Sequence, residues 1–282
     1  MHYFQLDQFI KDALNEDVQT GDITSLSCIP ADQYSQAILK VKEEGVIAGV
    51  ELAKNIFQII DPEIEMSIFI QDGSFIHYGE IVFEVRGRTR DLLIAERLVL
   101  NIMQHMSGIA TLSNRFATEV TDLPVTLLDT RKTIPLNRYL EKWAVRIGGC
   151  HNYRNGLYDW FMIKDNHISA CGSIAKAIKA VNLYRKKHSL ENLGITIEVK
   201  NLVELEEVLK YGKVNRIMLD NFELALLAEG VAMVGKKHET EASGGVSLQT
   251  VRKIALTGVD FISIGALTHS AGSLDLSMKI QN

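Results

Sequence analysis

Cysteine is scarce in this chain. Its three residues, Cys28, Cys150 and Cys171, are odd in number and far apart, so no disulfide framework is expected and a reducing cytoplasm is the simpler setting. No low-complexity segment and no Pro/Gly/Ser-rich linker interrupts the sequence. No apolar run approaches the roughly 18 residues that a membrane-spanning helix needs. The opening "MHYFQLDQFIKDALNEDV" carries acids early and lacks a long apolar core, unlike a secretory signal. Positive charge is not in excess either. A formal net charge of -5 argues against a protein that coats nucleic acid through its overall field. What remains is a globular mixture, long enough for one large domain or two modest ones.

The first part reads as a compact α+β unit. In "YFQLDQFIKDALNED", Phe4, Leu6, Phe9, Ile10, Ala13 and Leu14 fall near helical spacing. Short β-like runs follow, "QAILKVKE" and "EIVFEVRG", separated by turns at "EEG", "QDG" and "HYG". Then "TRDLLIAERLVLNIMQHMSGIATL" predicts a helix with apolar residues at Leu93, Ile94, Leu98, Ile102 and Met106 and with Gly108 near its end. This helix is expected to close a first domain at residues 1–108.

From residue 109 the pattern changes. Short apolar runs now end abruptly in polar residues, with helical segments between most of them: "VTLLDTRK", "WFMIKDN", "ITIEVKN", "NRIMLDN", "TEASGG" and "FISIGAL". Hydrophobic on both faces, they predict parallel strands. The recurrence is one of architecture and not of sequence. The fold class expected is α/β: an open, incomplete barrel of about six to seven parallel strands over residues 109–269, beside an N-terminal α+β sandwich-like domain. The tail, 270–282, is expected to pack back on that first domain.

In barrel-like folds chemistry gathers where strands end, and here the ends are Asp129, Lys164, Glu198, Asp220, Ser243 and Gly265. Between Arg131 and Lys164 bases outnumber acids, which focuses positive potential on an anion. Lys142 and Arg146, four apart on a predicted helix, are expected to face water. Arg131, Arg154 and Lys164 lie at strand or loop ends and are candidate ligand contacts; Arg grips a carboxylate with two parallel bonds and Lys adds a point charge. "ASGGVSLQTVRKIA" leads from a strand through Ser243, Gly244 and Gly245 into a helix, a candidate phosphate cradle. "SIGALTHS" offers a second loop with Gly265 and His269. Glu198 and Asp220 face this positive floor. They could hold a divalent ion against phosphates, stabilise a cationic transition state, or pair with Lys132 or Lys164. In "GGCHNYRNG" the adjacent Cys150 and His151 have neither zinc-ligand spacing nor the geometry of a nucleophile with its base.

These residues resemble the quinolinate phosphoribosyltransferase family, also called carboxylating nicotinate-nucleotide pyrophosphorylase. The resemblance runs through "NEDVQTGDIT", "AERLVLNIMQHMSGIAT", "DTRKTIP", "LEKWAVRIGG", "IKDNHI", "IMLDNF", "SGGVSLQT" and "GVDFISIGALTHS", in order over nearly the whole chain. It implies transfer of phosphoribose from phosphoribosyl pyrophosphate to quinolinate with decarboxylation, assisted by Mg²⁺. It further implies that Arg131, Tyr153, Arg154 and Lys164 bind quinolinate, and that Arg97 enters the active site of a partner subunit, in a homodimer or an oligomer of dimers. Lys132, Glu198 and Asp220 become the catalytic set, the two carboxylates also serving the metal. Ser243, Gly244, Gly245, Gly265 and His269 become the phosphoribosyl side. No nucleic acid or membrane partner is implied.

Two departures stand out. The family's "PGLR" is here Pro135 to Arg138, "PLNR", and its "GGGxNHR" is "GGCHNYR". Tyr153 replaces a histidine that contacts the substrate carboxylates; it keeps a donor but carries no positive charge. In an extended segment His151 would share its face about 7 Å away and could supply the imidazole. Readings other than a true quinolinate enzyme are a paralogue using another aromatic acid, a non-catalytic pyridine-carboxylate or nucleotide sensor, and a Schiff-base aldolase built on Lys164.

Overall fold

The structure is a computed structural model describing residues 5–281; Phe4, assigned above to the first helix, lies outside them. In chain order the elements are α1 (Leu6–Val18), α2 (Ile23–Cys28), β1 (Tyr34–Val41), β2 (Gly45–Val46), α3 (Val50–Ile60), β3 (Glu65–Ile68), β4 (Phe75–Ile76), β5 (Ile81–Arg88) and α4 (Thr89–Thr118). There follow β6 (Thr126–Leu128), α5 (Arg138–Ile147), β7 (Phe161–Ile163), α6 (Asp165–Cys171), α7 (Ile174–Lys187), β8 (Ile195–Val199) and α8 (Leu202–Tyr211). Last come β9 (Arg216–Asp220), α9 (Leu224–Val234), β10 (Glu239–Ser243), α10 (Val251–Ala255), β11 (Phe261–Ser263), α11 (Ala266–His269) and β12 (Leu276–Gln281). Two compact units result. One is the chain up to Asn114 with Tyr139–Gly149 and the tail from Ala271; the other is Arg115–Arg138 with Cys150–Ser270.

The first unit is built on an antiparallel sheet in the order β12-β1-β5-β3. Period-two alternation buries Ala37, Leu39 and Val41 of β1 and leaves their neighbours partly exposed. On α3, Leu52, Ala53, Ile56 and Phe57 recur at helical spacing and are buried, and the Phe57 ring meets Phe83 edge-on at 6.0 Å.

Helix α4 differs from its sequence reading in two ways. Its buried face is Leu92, Ala95, Val99, Met103, Met106 and Ala110, whereas Leu93, Ile94 and Leu98 are only half-buried. Nor does it stop near Gly108; it runs on to Thr118. A Cβ at Gly108 would fall on the Gly272 carbonyl oxygen, so this glycine permits a close approach and does not cap the helix. Lys142 also departs from expectation. It is 3% exposed and sits beside the fully buried Glu141 on α5, while Arg146 faces water. Glu141 takes a hydrogen bond from His105 on α4 at 3.1 Å, so this face of α5 packs against neighbours.

The second unit is a parallel six-stranded sheet in the order β6-β11-β10-β9-β8-β7. The last strand returns beside the first, and β6 and β7 are left as edges of an open α/β barrel. An isolated parallel bridge from Leu128 to His151 adds a seventh short segment beside β6. The strands are not apolar on both faces. Arg216 on β9 reaches the Phe261 ring on β11, two strands away, so the inner face carries charge. Thr196, Glu241 and Ser263 are buried on the same side. Among the described residues no helix is long and apolar enough to cross a membrane.

Gly108→Ala should cost about 3 kcal/mol or more, because neither backbone can yield. Gly272→Ala, whose Cβ would meet nothing within 4 Å, should stay within about 1 kcal/mol of the parent. Urea unfolding of the two variants checks the asymmetry, and equal losses would refute it.

Candidate active site

At the C-terminal ends of the barrel strands lies a cavity of about 600 Å³. Arg131 and Lys132 reach it from the loop after β6, Tyr153 and Arg154 from the segment before β7, and Lys164 from the end of β7. Glu198 and Asp220 enter from β8 and β9, Ser243, Gly244 and Gly245 from the end of β10, and Gly265 and His269 from beyond β11. Arg97 is not among the lining residues; it lies exposed on α4 in the other unit.

The two arginines define the electrostatics. Burial pulls the Arg154 guanidinium below its ordinary value, and the like charge of Arg131 adds to the shift. The Nε of Arg131 is buried with no hydrogen-bond partner. Two half-buried cations side by side, one with an unused donor, form a receptor for carboxylates arriving from outside.

Local hydrogen bonds hold them there. Asp129, fully buried at the end of β6, accepts from the Asn152 side chain at 2.6 Å and from the Tyr153 backbone N–H at 2.8 Å. The residue immediately after this anchor is Arg154. Arg138 donates from Nε to the Thr133 hydroxyl at 3.1 Å and from Nη1 to the Asn155 carbonyl at 2.8 Å, tying the two arginine-bearing loops together. Sequence reasoning had Asp129 only as a strand end and gave Arg138 no role. A buried carboxylate one position past a strand, near an Asn-Tyr-Arg run, was the available signal.

Lys164 is set by the rest of its motif. His167 Nδ1 accepts the Lys164 backbone N–H at 2.9 Å, and Asp165 pairs with Lys200 at 2.9 Å on the outer side. The Lys164 ammonium donates to Glu198 at 2.5 Å, which is the pairing alternative raised above. Asp220 accepts from the Asn221 side chain at 2.8 Å. Asn221, missed by sequence reasoning, has a left-handed backbone at φ 56° and occupies space a side chain at Gly244 would need. That contact and its φ of 95° are why position 244 is glycine.

Two expectations change and a third holds. His151 is exposed and lines no part of the cavity; it is spent in the bridge to Leu128, and Asp129 turns the chain so that Tyr153 alone points inward. The glycine loop does not run straight into a helix. Ser247 and Thr250 close a turn first, with the Ser247 N–H on the Thr250 hydroxyl at 2.9 Å, and α10 starts only at Val251. Loop N–H groups, and not a helix end, are therefore what the site offers a phosphate. Finally, the Cys150 thiol is buried and pushed up to about 12 by that burial and by Asp129, so it is no thiolate nucleophile.

For a metal, the described residues contain no cluster of three or more His, Cys, Asp or Glu side chains. Two carboxylates on one cavity wall fit an ion that also takes phosphate oxygens, the usual arrangement for Mg²⁺.

Comparison with known proteins agrees with this geometry. Residues 22–107 match the N-terminal domain of quinolinate phosphoribosyl transferase, and residues 109–279 its C-terminal domain. The chain is 45% identical to quinolinate phosphoribosyltransferase (decarboxylating) 1b of Nicotiana tabacum, over 98% of this chain and 83% of that one. It is 44% identical, over the same shares, to the chloroplastic nicotinate-nucleotide pyrophosphorylase (carboxylating) of Arabidopsis thaliana. A crystal structure of NadC from Streptococcus pyogenes superposes with a TM-score of 0.93 at 36% identity, covering 100% of this chain and 98% of that one.

Asp129→Asn is the sharpest test of how the arginines are held. Its amide would turn one donor toward another, so stability should fall by about 2 kcal/mol and affinity for an aromatic dicarboxylate should weaken at least tenfold. Thermal unfolding and calorimetry report the two effects separately; a folded variant with parental affinity would show that Asp129 does not orient Arg154.

Proposed function

Because the chain belongs to the quinolinate phosphoribosyltransferase family, we propose that it transfers phosphoribose from phosphoribosyl pyrophosphate to quinolinate, releasing pyrophosphate and CO₂ and leaving nicotinate mononucleotide. The observation that carries the reading is the paired Arg131 and Arg154, one wall of a cavity that Glu198 and Asp220 line from β8 and β9 as a second. A vicinal dicarboxylate satisfies the first wall and a ribose developing positive charge is stabilised by the second.

Quinolinate neutralises the two guanidinium groups and draws Lys164 from Glu198. The freed Glu198, with Asp220, then faces the anomeric carbon as pyrophosphate departs. Mg²⁺, held by these carboxylates and phosphate oxygens, would supply charge for the leaving pyrophosphate. Lys132 and the N–H groups of residues 243–245 take the phosphates, with Gly265 leaving room for Lys132 and His269. The ring nitrogen attacks the anomeric carbon without a general base, because its lone pair is already free. The resulting pyridinium accepts the electron pair left when the 2-carboxylate departs as CO₂, and C2 takes a proton. Holding two charged reactants in contact supplies much of the rate.

By the same reading Arg97 completes the quinolinate site of a second copy, in a homodimer or an oligomer of dimers. The compartment proposed is the cytoplasm, supported by Cys28, Cys150 and Cys171, none of which is in a disulfide.

The direct experiment is quinolinate-dependent pyrophosphate release, followed with and without Mg²⁺. Activity is expected only with the metal, and ready turnover of nicotinate in place of quinolinate would overturn the substrate assignment. Arg131→Ala and Lys164→Ala should each lower kcat/KM by about three orders of magnitude, near 4 kcal/mol; near-parental rates in either would show the wall is misassigned. Mixing Arg97→Ala with Lys164→Ala subunits should recover part of the activity that each lacks alone. No recovery after subunit exchange would count against a shared site.

A further inference from the structure

Below the cavity floor is a closed set of side chains that the reaction above does not use. The Thr196 hydroxyl accepts the Trp160 indole N–H at 2.8 Å and shares a hydrogen with the Tyr153 phenol at 2.6 Å. The Tyr153 and Trp160 rings meet edge-on at 6.1 Å. Beneath both lies Arg216, its guanidinium 5.1 Å from the Tyr153 ring, 5.6 Å from Trp160 and 3.6 Å from Phe261. Arg216 donates to Glu239 at 2.9 Å and to Glu241 at 3.3 Å, and Ser263 donates to Glu241 at 2.5 Å. Glu241 is fully buried and Arg216 nearly so, so this is a fixed platform and not a mobile surface pair.

The platform changes what Tyr153 can do. Its hydroxyl is engaged by Thr196 and lies close to Glu241, while the residue still lines the cavity. Burial, followed by the nearby Glu241, raises its pKa, so the phenol stays neutral at working pH. Its backbone N–H is held by Asp129. Tyr153 is thus pinned at both ends, and the next residue is Arg154, which has to stay beside the repelling Arg131.

We propose that Tyr153 is a positioning residue for Arg154, and that the Thr196–Trp160–Arg216 platform under its ring sets the preference for a vicinal dicarboxylate over a monocarboxylate. A bidentate grip tolerates little rotation of the guanidinium. Loosening the phenol therefore costs affinity for the second carboxylate before it costs chemistry. The inference rests on the reaction proposed above.

The test is a double-mutant cycle on Tyr153→Phe and Thr196→Val, with Thr196→Ser as the conservative control. Each of the first two should raise the quinolinate KM about tenfold, the scale of one lost hydrogen bond, with kcat within twofold. The double variant should be no worse than either single one, and Thr196→Ser should stay near the parent. The ratio of the nicotinate inhibition constant to the quinolinate KM should fall by the same factor. If Thr196→Val leaves KM unchanged while Tyr153→Phe raises it, the hydroxyl touches substrate directly and the proposal fails. It fails equally if the effects add, or if thermal stability and kcat drop with KM intact. Quinolinate affinity by calorimetry on the same proteins needs no turnover. A parent that binds quinolinate but releases no pyrophosphate would therefore sink the reaction and leave this inference separately decided.

Discussion

Two guanidinium groups held beside one another, half out of water, form the constraint around which the second unit is organised. Arg131 and Arg154 repel, and burial weakens the solvent screening that would ordinarily make such repulsion small. Left to itself, either side chain would swing outward. The surrounding sequence opposes that at several points: Asp129 grips the backbone before Arg154, Arg138 laces the two loops, and Thr196 anchors the neighbouring phenol. Each of these contacts keeps apposed a pair whose repulsion an incoming anion would relieve. Free energy stored in this way is recovered on binding, which is how a preorganised site raises affinity without new contacts.

Much of this architecture is legible in the primary structure. Six short apolar runs, each ending in a polar residue, read as parallel strands because a sheet covered on both faces leaves few other patterns, and β6 to β11 lie in those runs. Of the positions placed at their ends, Lys164, Glu198, Asp220, Ser243 and Gly265 meet in one cavity, whereas Asp129 lies buried and does not line it. The inner face of the barrel was not legible. Arg216 and Glu241 drew no reading from the sequence, because a cation stacked on Phe261 and paired across strands leaves no local mark. Lys142 failed for a related reason: helical spacing shows which residues share a face, not which face is covered. Gly108 was misread as a helix end because local sequence carries no sign of a carbonyl arriving from Gly272.

The barrel interior also shows how period-two geometry links stability to recognition. Thr196 and Glu198 lie two apart on β8, as do Arg216, Met218 and Asp220 on β9 and Glu239, Glu241 and Ser243 on β10. Register sets Arg216 between Thr196 and Glu239, and Met218 between Glu198 and Glu241. The platform and the carboxylates that line the cavity are thus successive layers of one set of strands. A slip of one residue would turn both outward together, so a chain that has folded its core correctly has also assembled its site.

The open edge between β6 and β7 has a kinetic meaning. The six named strands pair on the other side of that seam; on this side only the short bridge from Leu128 to His151 extends the sheet, and Arg131, Lys132 and Arg154 all sit on the chain that crosses it. A closed ring would have to stretch its hydrogen-bond ladder whenever this wall moved to admit one charged molecule or release another. Here the wall is held by its Asp129 and Arg138 ties and the one bridge at His151, outside the six-stranded ladder. The same missing pairing that makes the barrel incomplete keeps Arg131, Lys132 and Arg154 outside the hydrogen-bond ladder of the sheet.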